Sequence, residues 1–177
     1  MTFLLRHYKD DSMISPEVIQ SAARNKRSGI KILKKLVSEF EQSISKHLTA
    51  KTMEIAAANE RCGFEMMQLF VEISGTSNTL ITAKTLIAAV RNDNMANGLQ
   101  LTKLMVKHHR HDLTLNHQVV QAAAENLFSG PQIVSILMDA CLDVDDAAGR
   151  AEIADVFRTA RREQISLLAS EERGLWR

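Results

Sequence analysis

Aromatic residues are scarce in this chain of 177 residues, at 5%, although hydrophobic residues make up 45%. Alanine and aliphatic side chains must therefore provide most of the packing, which favours helices that approach each other closely. A hydrophobic content this high excludes the disordered and fibrous classes. It also suffices for a domain with a core of its own.

Charge of either sign is not in excess, because 22 basic residues balance 21 acidic ones and leave a formal charge of +1. This balance argues against nucleic acid and anionic membrane as partners. No stretch approaches the 18 apolar residues of a membrane span. The apolar run Phe3-Leu4-Leu5 is too short for a signal peptide. We therefore expect a cytoplasmic, intracellular protein without membrane contact.

Cysteine is nearly absent as well. Cys62 and Cys141 are the two cysteines, and they lie far apart without a CxxC motif. Such a pair predicts reduced, buried or half-buried thiols, as is usual inside cells.

One pattern occurs four times. Asparagines follow one another at intervals of 34, 33 and 34 residues, and small residues precede each of them: Asn25, Asn59, Asn92 and Asn126. Ten residues before each asparagine stands a residue that can cap a helix: Ser15, Thr49, Thr82 and Asn116. A period of 20 to 50 residues predicts stacked supersecondary units.

Each unit has the pattern of a helix, a turn and a second helix. In the first unit, Ser15-Pro16 predicts a helix start, with the serine hydroxyl accepting a backbone N–H. The apolar positions of both helices follow the spacing i, i+1, i+4, i+5, which describes one helical face. Between them, Asn25 and Gly29 predict a turn with positive φ. Five methionines fall on the apolar faces and are expected to fill the core: Met53, Met66, Met67, Met105 and Met138.

The predicted fold is all-α, an α-solenoid of stacked helix–turn–helix repeats with a C-terminal capping helix. We expect one repeat domain over residues 1–177. It divides into a partial unit (1–13), four repeats (14–47, 48–80, 81–114 and 115–142) and a degenerate repeat or capping helix (143–177) that starts near Asp146. A linker of about 8–11 residues should separate successive units. The apolar half-unit at the start indicates either a fragment of a longer array or a truncated copy.

The first repeat resembles ankyrin repeats in its Ser15-Pro16 start and its Ala22-Ala23 pair. It departs from them in its longer first helix, in the lack of a histidine after the capping residue, and in the later position of Gly29. It is more similar to the ankyrin-like helical repeats of long fungal proteins, which often follow the nucleotide-binding domain of NLR-type (STAND) receptors. The segments Ile14 to Gly29 and Leu115 to Gly130 carry this likeness.

The resemblance covers roughly residues 1–142 and implies a recognition array within a larger receptor. It implies no catalytic residue, and the chain contains no GxxxxGK[ST] nucleotide-binding motif.

Several clusters allow chemistry in principle. The stretch Lys107-His108-His109-Arg110-His111-Asp112, with His117, is either a basic helix end or a zinc site. Asp143-Val144-Asp145-Asp146 lacks the glycine and glutamate of a calcium loop and is better explained as a helix start. The basic residues around Lys26 and Lys31 form a solvated face, a contact for an acidic partner or, without aromatic residues between them to support it, a contact for phosphate or nucleic acid. No nucleophile motif is present. We expect no enzyme, cofactor or resident metal.

The turns differ between copies while the surrounding pattern repeats, as on a recognition surface. The candidate partner-binding residues are Arg24, Lys26, Arg27, Glu60, Arg61, Arg91, Asp93, Asn94, Leu127 and Phe128. Ordinary drift on a solvated face is the other explanation. We therefore predict a non-catalytic protein–protein interaction module in a larger intracellular receptor or scaffold. The alternative is a structural spacer or a stack that associates with itself through residues 1–13.

Overall fold

A computed structural model describes residues 13–75, 80–109, 117–126 and 128–141, and seven positions between 151 and 162. Every regular element in these ranges is helical, which confirms the all-α class for this part of the chain. The helices are α1 (Pro16–Arg24), α2 (Gly29–His47), α3 (Ala50–Ala57), α4 (Gly63–Ser74), α5 (Ala83–Val90), α6 (Met95–His109), α7 (His117–Glu125) and α8 (Gly130–Cys141).

The predicted helix starts are confirmed. α1, α3 and α5 begin at the residue directly after the capping residue in each copy. Thr49 caps α3 because its Oγ1 accepts the Thr52 N–H at 3.2 Å. Thr82 caps α5 in the same way, and the Thr85 hydroxyl accepts the Thr82 N–H at 3.2 Å in return.

The prediction for Ser15 is wrong in its detail. Its side chain accepts no backbone N–H of α1. Instead, the hydroxyl donates to the exposed carboxylate of Glu17, which, with the Glu17 backbone N–H, lowers the pKa of that carboxyl.

The eight helices pair into four hairpins, named here hairpin 1 (α1–α2), hairpin 2 (α3–α4), hairpin 3 (α5–α6) and hairpin 4 (α7–α8). The two helices of each hairpin contact one another. The first helices also contact each other in the order α1, α3, α5, α7, and the second helices do so in the order α2, α4, α6, α8. Two rows of helices result, with a continuous hydrophobic core that contains Ile19, Met53, Leu86 and Val119.

The predicted core methionines are confirmed with one difference. Met53, Met66, Met67 and Met105 are at most 1% exposed, while Met138 is half-buried against the core. Most alanines before the asparagines are buried too, although Ala58 is exposed and Ala88 half-buried, so small residues form much of the face on which the first helices meet.

The predicted glycines do lie at the turns, but a positive φ is not the reason for glycine there. None of the turn glycines has a positive φ, and among the described residues only Gly75 does. A Cβ at Gly130 would lie 2.4 Å from the carbonyl oxygen of Ala123, and one at Gly29 would lie 2.4 Å from that of Ala22. These turn positions require glycine because the second helix begins next to carbonyl oxygens near the end of the first helix, and a side chain there would clash with them.

The residues predicted to form a linker between hairpins 1 and 2 are mostly helical instead. α2 continues to His47, with non-helical backbone angles at Phe40 (φ −139°, ψ 38°) where its direction changes. Ile44 is completely buried in this extension, because its apolar side chain reaches the core one turn beyond the break. The extension therefore belongs to the packed structure.

Residues 1–12 of the predicted half-unit, which include Phe3-Leu4-Leu5, lie outside the described residues. Most of the predicted C-terminal helix does so too. Its described positions, between 151 and 162, are helical, and Arg158 and Arg162 are exposed as expected.

Candidate functional site

The side-chain oxygen of each turn asparagine holds the reversal of the chain. Oδ1 of Asn25 accepts the backbone N–H groups of Arg27 at 3.0 Å and Ser28 at 2.9 Å. Oδ1 of Asn59 and Oδ1 of Asn126 accept the N–H groups two and three residues further on, at 2.9 to 3.2 Å. A short amide side chain that replaces backbone acceptors is typical of such turns.

The amide nitrogen of the same side chain joins one hairpin to the previous one. Nδ2 donates to a carbonyl at the end of the preceding first helix: Asn59 to Ala23 at 2.8 Å, Asn92 to Ala57 at 2.9 Å and Asn126 to Val90 at 2.6 Å. These carbonyls lie in the last helical turn, where no N–H of the helix remains for them. We call this double set of bonds the asparagine clamp.

The clamp contributes to stability because its asparagine side chains are buried. The three clamp asparagines Asn59, Asn92 and Asn126 are 6% exposed or less. A buried amide or carbonyl left without a partner costs about 1–3 kcal/mol. Asn25 differs, because its side chain is exposed. Its amide nitrogen makes no hydrogen bond within the described ranges, although its Oδ1 holds the turn as the others do.

The third turn contains two additional residues, and they extend the clamp. Asn92 Oδ1 accepts the N–H of Asn94 at 3.1 Å, and Asn94 Oδ1 accepts the N–H of Asn97 at 3.1 Å. Nδ2 of Asn97 then donates to the Glu60 carbonyl at 2.5 Å. The prediction missed Asn97, although three asparagines within six residues were a visible signal. The insertion thus adds a bond between hairpins 2 and 3.

The exposed side chains at the four turns form one surface, which we call the turn edge. It comprises Arg24, Lys26, Arg27, Glu60, Arg61, Arg91, Asp93, Asn94, Met95 and Phe128, all of them exposed. Nine of the ten predicted partner-binding residues belong to it. Leu127, the tenth, lies outside the described residues.

Some charges on the turn edge pair across neighbouring hairpins. Lys26 Nζ lies 2.8 Å from Glu60 Oε2, and Arg91 Nη2 lies 3.4 Å from Glu125 Oε2. All four side chains are about half exposed, so each pair contributes no more than about 1 kcal/mol. The partners are separated by 34 residues, the repeat period. Opposite charges at that spacing were a signal that sequence reasoning did not use.

The chemistry of the turn edge changes along the array. At hairpins 1 and 2 the turns carry Lys26, Arg27, Glu60 and Arg61. At hairpins 3 and 4 they carry large apolar side chains, since Met95 is 58% and Phe128 60% exposed. Clustered exposed apolar groups are typical of contact surfaces, whereas isolated ones are ordinary.

A shallow groove of about 310 Å³ opens beside the turn edge, between α3 and α5. Acidic side chains, Glu54 and Glu60, line it from hairpin 2. Basic side chains, Lys84 and Arg91, line it from hairpin 3, together with half-buried Ile87. The groove therefore offers both charge signs and one apolar contact next to the predicted residues.

The described free cysteine, Cys62, is enclosed in the structure. Cys62 is buried, its Sγ lies 3.5 Å from Asn59 Oδ1, and burial raises the pKa of its thiol. A protonated, enclosed thiol is a poor nucleophile. No group of three or more metal-ligating side chains occurs in the described part. Within the predicted histidine cluster, Lys107 and His108 are exposed, and residues 110–116 lie outside the described ranges.

The prediction of no membrane contact can be compared with the helices of the described residues. None of the helices searched, all within the described residues, is both long and apolar enough to cross a bilayer.

A family model described as a domain of unknown function, DUF7104, matches residues 3–32 and 104–133. The two matches begin 101 residues apart, which is also the separation of Asn25 and Asn126. The second match runs from the end of α6 through α7 and the turn into α8. Its unit is therefore centred on a first helix and its asparagine turn. No curated protein and no solved structure matches the chain.

Proposed function

We propose that this chain is a protein-recognition module, an α-solenoid of ankyrin-like repeats that binds another protein through its turn edge. It acts as part of a larger intracellular receptor or scaffold, in line with its resemblance to the repeats of fungal NLR-type proteins. Its role is binding without catalysis, and it requires no cofactor.

The arrangement of the helices supports the solenoid part of the proposal. Each hairpin contacts the next through both of its helices, and each asparagine clamp fixes their relative position. A single hairpin cannot bury its apolar face alone, whereas stacked hairpins share a core. The double match of one short family model in the same register is consistent with this repetition.

One observation carries the recognition part. In each of the four turns the asparagine Oδ1 accepts the backbone N–H two residues further on, while the exposed side chains on the turn differ in every hairpin. Met95 and Phe128 leave more than half of their surface in water at adjacent turns. Aromatic anchors dominate many interfaces, so Phe128 is the strongest contact we propose.

The proposed partner surface combines an apolar anchor with charges. A partner segment that covers Met95 and Phe128 would also meet Arg91 and Glu125, whose ion pair is half exposed. We therefore expect a partner with an apolar or aromatic residue flanked by polar groups. The alternative, a stack that associates through residues 1–13, depends on residues outside the described ranges.

The test is a selection of binders from a displayed library of small helical proteins, with the wild-type chain as the target. Each selected clone is then measured against Phe128→Ala and Met95→Ala. We expect at least tenfold weaker binding to Phe128→Ala for most clones, in line with a loss of about 1–2 kcal/mol at an anchor.

Gln68→Ala is the matched control, because Gln68 is an exposed residue of α4 away from the turns. Circular dichroism and melting curves establish that all variants are folded. Clones that bind Phe128→Ala and Met95→Ala as tightly as Gln68→Ala would show that the turn edge is not the recognition surface.

A further inference from the structure

Hairpin 1 exposes a face that the other three hairpins bury. Val18 of α1 is 38% exposed, but the residues at the same position of the repeat, Thr52, Thr85 and Val119, are completely buried. Asn25 is exposed, while the three later asparagines are buried. Ile32 is half-buried, and its counterparts Met66, Leu101 and Ile133 are completely buried.

The reason for this difference is visible in hairpins 2 to 4. In each of them the corresponding face packs against the preceding hairpin, and its asparagine Nδ2 donates to a carbonyl of that hairpin. The three internal interfaces therefore show what this type of face binds, namely another helical hairpin with small residues at the contact.

A shallow groove of about 330 Å³ follows the exposed face of α1. Glu17, Val18, Ser21, Ala22 and Ile32 line it. Ser21 and Ala22 are the small residues of α1 that line it, and small side chains allow the backbone of a second helix to approach closely. The groove is thus shaped for a helix that brings small or aliphatic residues.

The charges at the two ends of α1 specify the direction of such a helix. Glu17 lies in the first turn and Arg24 in the last, and both side chains are exposed. They are seven residues apart, about 10 Å along the helix, with Ser21 between them. A second α1 that packs antiparallel about a twofold axis near Ser21 brings Glu17 of each copy opposite Arg24 of the other. Twofold, self-complementary contacts are the commonest in oligomers.

We propose that a second copy of this chain docks on the face of α1 formed by Glu17, Val18, Ser21 and Arg24, with the two α1 helices antiparallel. This dimer uses a surface distinct from the apolar end of the turn edge, so both chains of each pair still present Met95 and Phe128. Val18 and Ile32 are the only large apolar side chains that line the groove. Association should accordingly be weak, with a Kd on the order of tens of micromolar.

Sedimentation equilibrium of the full chain, over about 1–300 µM, tests this proposal on the concentration scale expected for a weak dimer. The wild type should shift from its monomer mass of 19.8 kDa towards twice that mass. Val18→Glu should stay monomeric throughout this range. Glu17→Arg and Arg24→Glu should each weaken association at least tenfold, since each places like charges opposite one another in both halves of the dimer.

The double variant Glu17→Arg/Arg24→Glu should restore association, because the charges again match across the twofold axis. Gln118→Arg, at the position of α7 that corresponds to Glu17, is the control and should leave association unchanged. A wild type that is monomeric at every concentration would overturn the proposal. So would a dimer that Val18→Glu leaves intact, or a double variant that is no better than its single variants. Circular dichroism confirms folding of each variant.

Discussion

Asn59 Nδ2 donates to the Ala23 carbonyl oxygen over 2.8 Å, and this bond connects the second hairpin to the first. The same side chain holds its own turn through Oδ1. Both polar atoms of the Asn59 side chain are therefore used: Oδ1 accepts hydrogen bonds and Nδ2 donates one. Aspartate offers only acceptors when ionised, and alanine offers neither.

The first prediction compares Asn59→Asp with Asn25→Asp. A carboxylate at position 59 still accepts the turn N–H groups, but it places a second acceptor against the buried Ala23 carbonyl. We expect a loss of about 1–3 kcal/mol in the free energy of unfolding at pH 7. At exposed position 25, where only the turn bonds exist, the change should stay within about 0.5 kcal/mol. Urea unfolding of both variants measures the difference.

The pH dependence of Asn59→Asp provides a control. Burial next to a carbonyl raises the pKa of the introduced carboxyl, and its protonated form can donate to Ala23 again. Relative to the wild type, the variant should therefore regain stability as the pH falls towards about 4. Equal losses for Asn59→Asp and Asn25→Asp at pH 7 would show that the bond between hairpins contributes nothing.

The second prediction concerns Gly130. Alanine normally stabilises a helix relative to glycine by about 1 kcal/mol. Here the added Cβ would lie 2.4 Å from the backbone oxygen of Ala123, which cannot move without separating α7 from α8. Gly130→Ala should consequently destabilise the protein by about 1–3 kcal/mol. Urea unfolding gives the sign directly, and a stabilised variant would refute the close-contact explanation of the glycine slot.

The third prediction concerns the reactivity of Cys62. Its thiol is buried, and burial raises its pKa. Because the thiolate is the reactive form, alkylation of native Cys62 by iodoacetamide should be much slower than that of a free thiol, from about pH 7 to 9. Mass spectrometry of the peptide that contains Cys62 measures the rate, and the urea-unfolded chain is the control. Equal rates in both states would contradict the burial described here.

Much of this fold could be predicted from the sequence, because the signals are local. The capping residues Thr49 and Thr82 indicate where α3 and α5 begin, and the structure places the starts there. The turn glycines are located correctly for a similar reason. Their cause was not predictable, since a close approach of Gly130 to Ala123 depends on how two helices cross.

The remaining features depend on contacts between distant residues. Asn59 is 36 residues from Ala23, and no local pattern shows that its amide reaches that carbonyl. Phe40 allows α2 to change direction and continue, so that Ile44 becomes a core residue in an expected linker. The exposed α1 face likewise emerges only when the burial of Val18 is compared with its counterparts. At the candidate site, the positions of the turns can be predicted from the sequence, whereas the ion pairs between neighbouring hairpins cannot.

Hydrogen exchange on a complex with a selected binder tests the proposed recognition surface most directly. Residues 91–95 span the third turn, residues 126 and 128–130 belong to the fourth, and residues 47–50 lie at the opposite ends of the helices. We predict slower exchange in both turns when the binder is present and unchanged exchange at 47–50. Protection at 47–50 with unchanged turns would place the binding surface on the opposite edge and contradict this account.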